Sequence, residues 1–174
     1  MSCVAGIVED GKIWMGGDSA GTTDDGLQYS CLRSKVFHNG EVLIGSVGDG
    51  RVQDLFENHE MPDIPLGLGA IWHVVTWMEV ILASEQPAKE GSKLAPGCMV
   101  GVRGELFVVS EDYNYVQPRQ GYWAIGSAGE IALGCLYATA EDGDMSIEDR
   151  IEMALAASAE FHATVRPPFT ILSL

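Results

Sequence analysis

The chain has 174 residues, 47% apolar and 20% charged, which suits one domain with a buried core. Ten Lys and Arg stand against 25 Asp and Glu, and the resulting net charge of −15 argues against nucleic acid or an anionic membrane surface as partner. The longest apolar stretch, residues 71–83, is too short and too polar to span a bilayer. The sequence shows no secretory leader and no C-x-x-C pair, so Cys3, Cys31, Cys98 and Cys135 are predicted to be reduced thiols in a cytoplasmic protein.

The first part of the chain contains four short apolar runs separated by turn signals. These runs are predicted to be strands over residues 2–8, 12–17, 35–38 and 41–46. Asp10-Gly11 joins the first pair into a hairpin, and Asn39-Gly40 joins the second. Asn-Gly is typical of a type I′ turn because that turn needs positive φ at both central residues. Between the hairpins, residues 19–30 are expected to form a polar, glycine-rich loop.

Helices and further strands alternate in the remainder. Helices are predicted over residues 51–59, 68–84, 129–140 and 146–163, and strands over 98–102, 105–110, 123–126 and 169–174. One face of the second helix is apolar, with Ile71, Val74, Val75, Met78, Ile81 and Leu82. Ser146 and Asp149 resemble a capping box at the start of the last helix. Hairpins separated by helix pairs predict a single α+β domain over residues 1–174, a four-layer αββα sandwich of two antiparallel sheets.

The usual catalytic signatures are absent from the sequence. Ile125 stands where a nucleophile elbow around Ser127 would require glycine. The glycine-rich residues 45–50 are followed by no Lys-Ser or Lys-Thr pair, so they form neither a phosphate-binding loop nor a dinucleotide fingerprint. The histidines never pair at i, i+4, which argues against a zinc helix; they are His38, His59, His73 and His162.

The first residues suggest another chemistry. Ser2 directly follows Met1, and a small residue in that position normally permits removal of the methionine. The serine hydroxyl would then share a residue with a free α-amine, whose ordinary pKa of about 7.7–8.0 suits a general base near neutral pH. A nucleophile and its base in one residue are one solution to hydroxyl activation. Many chains begin with Met-Ser, so this pattern needs support from the rest of the sequence.

Four segments in the right order provide that support. Residues 2–19, from Ser-Cys-Val-Ala-Gly-Ile-Val to Met-Gly-Gly-Asp-Ser, resemble the start of proteasome β subunits and of the bacterial peptidase HslV. Residues 34–37 resemble the catalytic-lysine strand of that family, and residues 43–49 resemble its oxyanion-hole turn. Residues 122–134 resemble its strand-to-helix segment beside the active site. The resemblance to these N-terminal-nucleophile (Ntn) hydrolases covers nearly the whole chain and is weakest over residues 62–97.

The resemblance implies a peptidase that forms an acyl-enzyme on Ser2 and uses no metal or organic cofactor. It implies that Asp18 orients Lys35, whose positive charge disfavours protonation of the neighbouring amine. It further implies that the N–H of Gly45 stabilises the oxyanion and that Ser127 hydrogen-bonds the amine. Each residue also has an ordinary interpretation: Asp18 as a turn acid, Lys35 as an exposed strand lysine, Gly45 as relief for a bend, and Ser127 as a helix cap.

Substrate contacts and partners follow from the same resemblance. Leu43, Ser19 and Ser46 are predicted to contact the substrate, and Leu43 implies some apolar preference. The implied substrate is a peptide or an unfolded protein, degraded inside a homo-oligomeric ring with a possible ATPase unfoldase as partner.

Two features leave alternatives open. Serine replaces the usual threonine of the family, which removes the methyl group that restricts the hydroxyl rotamer. The acid that the family places near the amine has no certain counterpart, and His162 is either its replacement or an ordinary helix-end histidine. A catalytically silent structural subunit, favoured by a retained Met1, and an Ntn amidase for small amides are the alternative functions.

Overall fold

Antiparallel strands and pairs of helices alternate along the chain. The computed structural model describes residues 2–23, 25–67, 69–85 and 94–174. The described strands are β1 (Cys3–Glu9), β2 (Lys12–Gly17), β3 (Ala20–Thr22), β4 (Gln28–Ser30), β5 (Val36–Asn39), β6 (Val42–Ser46), β7 (Cys98–Val102), β8 (Glu105–Val109), β9 (Tyr115–Val116), β10 (Tyr122–Gly126) and β11 (Thr170–Ser173). The helices are α1 (Gly50–Asn58), α2 (Ala70–Ser84), α3 (Gly129–Ala138) and α4 (Ile147–Phe161).

The strands form two larger sheets and one small hairpin, all antiparallel. The four-stranded sheet has the order β10-β1-β2-β11, and the five-stranded sheet has the order β5-β6-β7-β8-β9. The hairpin β3-β4 lies outside both sheets. In the four-stranded sheet, Cys3 stands opposite Gly126, and Val4 stands opposite Gly17. The beginning of β1 therefore lies beside the ends of β2 and β10.

Three apolar cores separate four layers. Phe56 and Met78 belong to the core between the helices α1 and α2 and the five-stranded sheet. Met15 and Leu43 belong to the core between the two sheets. Leu155 belongs to the core between the four-stranded sheet and the helices α3 and α4. The predicted αββα sandwich is therefore confirmed, because each core fills one of the three interfaces that such a sandwich requires.

One predicted hairpin turn has a different register. The pairing of Asn39 with Val42 makes Gly40 and Glu41 the central residues, and of these only Gly40 has positive φ, at 58°. The predicted type I′ turn at Asn39-Gly40 is therefore wrong. The Asn39 side chain instead donates to the carbonyl oxygens of Phe56 and His59 at 2.7 and 2.8 Å, where it binds the C-terminal end of α1.

The element predictions were mostly right, with two omissions. The predicted loop over residues 19–30 contains the hairpin β3-β4, and β9 was not predicted. The predicted apolar face of α2 is buried, although Leu68, the predicted first residue of that helix, lies outside the described residues. Ser146 caps α4 as predicted, with its Oγ accepting from the Asp149 N–H at 3.1 Å. Within the described residues, no helix has both the length and the apolar character needed to cross a membrane.

Candidate active site

A buried carboxylate connects the beginning of β1, the end of β2 and the residue before β5. The Asp18 side chain is fully buried, and its Oδ1 accepts from Lys35 Nζ at 2.7 Å and from the Cys3 N–H at 2.8 Å. Its Oδ2 accepts from the N–H groups of Ala20 at 2.8 Å and Arg166 at 3.4 Å. Charge-assisted hydrogen bonds of this kind hold a buried charge in one position. Lys35, with a side chain only 12% exposed, is therefore bound to the same carboxylate oxygen as the N–H of Cys3, the residue after Ser2.

Ser2 is buried against the turn that follows β10. Its N–H donates to Ser127 Oγ at 3.3 Å. The turn approaches so closely that a Cβ on Gly126 would lie 2.2 Å from the Ser2 carbonyl oxygen, and Gly126 has a φ of 97°. A residue with a side chain is excluded there on both counts. Gly126 thus permits the contact between Ser2 and Ser127.

Two residues after α4 extend this contact. Ser127 Oγ lies 3.0 Å from Thr164 Oγ1, which in turn lies 2.8 Å from His162 Nδ1. The N–H of Thr164 also donates to His162 Nδ1, at 3.3 Å. His162 is the C-cap of α4. Sequence reasoning left the role of His162 open and assigned none to Thr164, because only the folded chain brings these residues to Ser127.

A cavity of about 300 Å³ opens beside Ser2. Its lining includes Lys35 and the predicted substrate contact Ser46, and otherwise Ala20, Gly21, Thr22, Tyr29, Cys31, Arg33, Val47, Gly48, Asp49, Gly50 and Gln53. Tyr29, Cys31, Arg33 and Lys35 are alternate residues of one segment, as expected where an extended chain presents one side to a cavity. That alternation could have identified the first three from the sequence, once Lys35 had been assigned.

Three predicted residues lie elsewhere. Leu43 is fully buried in the core between the two sheets and does not line the cavity. Gly45 lies within β6, where a Cβ would come within 2.5 Å of Val4 Cγ1, so its missing side chain serves packing. Ser19 Oγ donates to the carbonyl oxygen of Arg166 at 3.2 Å and does not line the cavity either. The cavity beside Ser2 therefore has a lining of mixed polar and apolar groups that does not include Leu43.

Gly48 borders the cavity where Gly45 does not. It has a φ of 95° and precedes Asp49, the N-cap of α1. The N–H of Val47 donates to the carbonyl oxygen of Gly97, whereas the N–H of Gly48 has no acceptor among the described residues. Helix N-termini favour negative charge because their N–H groups point outward and the helix dipole is positive there. Gly48, and not Gly45, therefore borders the cavity with an N–H that no described residue accepts.

The thiol next to Ser2 is not a competing nucleophile. Cys3 is fully buried, and its Sγ lies 3.6 Å from Ser158 Oγ. Burial raises the pKa of the Cys3 thiol to about 11, so it stays protonated at neutral pH. Across the described ranges, no three His, Cys, Asp or Glu side chains lie together in a way that could hold a metal ion.

Comparison with known proteins identifies the fold. No protein-family model matches the chain. BPH from Thiobacillus denitrificans, in complex with epoxomicin, aligns with a TM-score of 0.78 at 18% identity, over 99% of this chain and 97% of that one. Eukaryotic HslV from Trypanosoma brucei aligns with a TM-score of 0.72 at 18% identity, over 99% of this chain and 98% of that one. The Anbu complex from Pseudomonas aeruginosa, a helical assembly, aligns with a TM-score of 0.74 at 16% identity, over 100% of this chain and 81% of that one. The chain therefore has the fold of proteasome-type Ntn hydrolases.

Proposed function

We propose that this protein is a peptidase that hydrolyses peptide bonds through an acyl-enzyme on Ser2, after removal of Met1. The observation that carries the proposal is the ion pair between Lys35 and Asp18, 2.7 Å long and almost fully buried. Its carboxylate also binds the N–H of Cys3, the residue after Ser2, and Lys35 lines the same cavity as Ser2. Taking two charges out of water costs free energy, and such a pair gives little net stability. Its value is greatest where a fixed positive charge is needed beside a reacting group.

The proposed reaction starts with the free α-amine of Ser2. The amine takes the proton of the Ser2 hydroxyl while Oγ attacks the substrate carbonyl carbon, and the positive charge of Lys35 keeps the amine unprotonated beforehand. The C–N bond then breaks, and the leaving amine takes the proton from the α-ammonium group. Water, deprotonated by the same α-amine, finally hydrolyses the ester and restores the serine.

We assign stabilisation of the oxyanion to the N–H of Gly48 and not to the N–H of Gly45. Gly48 lines the cavity together with Ser2, and its N–H has no acceptor among the described residues. Donors aimed at the developing negative charge are worth about 10²- to 10³-fold in rate. The N-terminus of α1, which begins two residues later, favours the same charge.

The cavity supports a polar substrate side chain before the scissile bond. Arg33 is paired with Asp54 and Glu57, so it offers little net charge. The amide nitrogen of Gln53 donates to Ser34 and Glu57, which leaves its Oε1 as an acceptor at the cavity. An acceptor at this place favours a substrate side chain that donates a hydrogen bond.

We further propose that the protein works as a homo-oligomer. Large apolar side chains on the outer helices are exposed, namely Trp72 and Val80 on α2, Tyr137 on α3 and Phe161 on α4. Exposed apolar side chains mark a surface that contacts other chains where they form a contiguous patch. The helical assembly of the Anbu complex supports the same interpretation. An unfolded-protein substrate and an ATPase that delivers it remain part of this proposal.

The test uses the native protein and an epoxyketone such as epoxomicin. Mass spectrometry of the untreated protein is expected to show loss of Met1, and the treated protein is expected to carry one adduct on Ser2. Ser2→Ala should abolish both the adduct and peptide hydrolysis, whereas Ser2→Thr should retain them because it keeps the hydroxyl and the amine.

Two results would contradict this function. A fully retained Met1 would leave Ser2 without a free amine and would favour the silent subunit. An adduct that persists in Ser2→Ala would place the nucleophile on another residue.

A further inference from the structure

The buried cation near the start of α4 has no anionic partner among the described residues. Arg150 is only 6% exposed, and its Nε is buried without a hydrogen-bond acceptor in the described part of the chain. None of the described ion pairs includes it. A buried guanidinium that lacks an acceptor loses its hydration without a matching gain, and the positive end of the helix dipole adds to this cost. The position is therefore unfavourable for a cation unless an anion from outside the chain binds there.

Arg150 borders a cavity of about 560 Å³. The cavity lies where Ile7 pairs with Tyr122, at the end of β1 that is farther from Ser2, and it also borders the last residues of α3. Its volume is typical of sites that bind small molecules. Among the described residues, it shares no lining residue with the cavity beside Ser2. The two cavities are therefore separate candidate sites.

The acidic residues beside Arg150 in the sequence are bound to other groups. Glu148 accepts from Trp14 Nε1 at 2.9 Å. Asp149 accepts from Ser146 Oγ at 2.7 Å. The C-terminal end of α3 offers some compensation, because the helix dipole is negative there. No carbonyl oxygen of the described residues accepts a hydrogen bond from the Arg150 side chain, however, so the chain tolerates this cation without satisfying it.

The charged residues that line the cavity differ in depth. Arg150 is buried, whereas Glu9 and Glu141 are exposed. Neither carboxylate forms an ion pair with the guanidinium. The rest of the lining includes apolar and aromatic side chains, among them Ile7 and Tyr137. A molecule that enters the cavity therefore meets carboxylates at the exposed side, apolar groups along the wall and a cation at the buried side.

We propose that this cavity binds a small zwitterion, a molecule of the class of amino acids and dipeptides with one free carboxylate and one free ammonium group. The carboxylate accepts two parallel hydrogen bonds from Arg150, the geometry for which a guanidinium is suited. The ammonium group lies toward Glu9 and Glu141, and the apolar part of the ligand contacts the wall of the cavity. The inference does not rest on the proposed function, because it involves neither Ser2 nor the cavity beside it.

The exposed carboxylates distinguish a zwitterion from an inorganic anion. Phosphate would gain from Arg150, but Glu9 and Glu141 would repel its negative charge. The net charge of −15 adds to that repulsion at longer range. A zwitterion carries no net charge and gains at both sides of the cavity. The arrangement of charges therefore favours a ligand with two opposite charges over a simple anion.

The experiment measures binding by isothermal titration calorimetry in a buffer without carboxylates or phosphate. The probe is the dipeptide alanylleucine at about pH 7, where both of its termini are charged. Alanylleucine amide lacks the carboxylate and should bind at least about ten-fold more weakly, because it loses the hydrogen bonds to the guanidinium. N-acetyl-alanylleucine lacks the ammonium group and should bind about three-fold more weakly, because that group faces exposed carboxylates. Inorganic phosphate should bind more weakly than alanylleucine.

Variants assign the two charges of the ligand to the two sides of the cavity. Arg150→Met should weaken the binding of alanylleucine at least about ten-fold and remove its advantage over the amide. Arg51→Met makes the same substitution at an exposed arginine of α1 and should leave the affinity unchanged. The double variant Glu9→Gln, Glu141→Gln should bind N-acetyl-alanylleucine as tightly as alanylleucine, because neither side chain then distinguishes the ammonium group. Circular dichroism should show the same secondary structure in every variant.

Ser2→Ala separates this cavity from the candidate active site. Alanylleucine should bind to Ser2→Ala with the same affinity as to the native protein, and the variant also prevents hydrolysis of the probe by the proposed peptidase. Binding that disappears in Ser2→Ala would place the probe in the cavity beside Ser2 and would overturn the proposal.

Three further results would overturn it. These are the absence of saturable alanylleucine binding, equal affinities of the native protein for alanylleucine and its amide, and an unchanged affinity in a folded Arg150→Met. If Arg150→Met does not fold, the comparison of the dipeptide with its amide decides, because it uses the native protein alone.

Discussion

The buried charges at the two ends of the four-stranded sheet differ in their hydrogen-bond partners. At the end formed by Cys3 and Gly17, the buried carboxylate of Asp18 accepts four hydrogen bonds, one of them from Lys35. At the opposite end, Arg150 is only 6% exposed and borders a cavity of about 560 Å³. Its Nε has no hydrogen-bond partner among the described residues, and none of the described ion pairs includes Arg150.

This contrast shows that the fold supplies hydrogen-bond partners to the charge of Asp18 and fewer to the charge of Arg150. Breaking a buried pair leaves the remaining charge uncompensated, whereas an unpaired buried charge adds desolvation cost without a matching gain. The Asp18 end is therefore expected to be sensitive to substitution, and the Arg150 end is expected to tolerate an apolar residue. The sensitive end is also the end that holds Ser2, so stability and function depend on the same contacts there.

The largest effect is expected from Asp18→Asn. Asparagine removes the negative charge beside Lys35 and replaces one acceptor oxygen by a donor that faces backbone N–H groups. The free energy of unfolding, measured in urea, should fall by about 3–5 kcal/mol. Asp144→Asn changes an exposed carboxylate and should shift it by less than about 0.5 kcal/mol. A loss below about 1 kcal/mol at Asp18 would contradict the contrast between the two ends.

The reactivity of the Cys3 thiol tests the packing at the Asp18 end of the sheet without a mutation. Burial raises the pKa of Cys3 from 9.0 to about 11, so its thiolate appears only well above neutral pH. Cys31 is partly exposed and lines the cavity. At pH 8, iodoacetamide should modify the partly exposed Cys31 much faster than Cys3, because the Cys3 thiol is fully buried and stays protonated. In urea the two rates should become similar, and equal rates in the native protein would mean that β1 is not held as described.

Gly126→Ala tests the close approach of the turn to Ser2. The new Cβ would meet the Ser2 carbonyl oxygen at 2.2 Å, at a φ of 97°. The free energy of unfolding should fall by about 1–3 kcal/mol, and labelling of Ser2 by the epoxyketone should weaken. Gly134→Ala is the matched control, since nothing lies within 4 Å of the added methyl group. Its helical position should give a gain of about 0.5–1 kcal/mol, and equal losses in both variants would contradict the assignment.

The smallest effect is expected from Arg150→Met at the other end of the sheet. Methionine keeps much of the volume and removes a charge that lacks a partner for its Nε. Urea unfolding should show a change within about 1 kcal/mol, with a gain as the more informative result. Arg51→Met, which breaks an exposed pair with Glu85, provides the comparison. A loss above about 3 kcal/mol would show that Arg150 is as well paired as Asp18.

Local sequence patterns predicted the structure correctly where it depends only on residues a few positions apart. Ser146 caps α4, and the apolar face of α2 is buried, because capping and helical periodicity depend on neighbours within a few positions. The pattern at Asn39 was misleading, because its side chain forms contacts with α1 that outweigh the local turn preference. Leu43 and Gly45 lie away from the cavity for a related reason. Which side of β6 faces a cavity depends on the sheet packed against it, and the strand sequence alone does not specify that.

The sequence by itself determined the order of the elements and the αββα sandwich, and it brought Ser2, Asp18, Lys35 and Ser127 forward as candidates. These follow from apolar periodicity, turn residues and the resemblance of ordered segments. Only the tertiary structure decided that Gly48 borders the cavity, that Leu43 does not, and that Thr164 and His162 reach Ser127. Those contacts join residues more than a hundred positions apart from Ser2, or depend on the face that a strand buries. These contacts depend on how the layers pack against each other, which no local sequence pattern encodes.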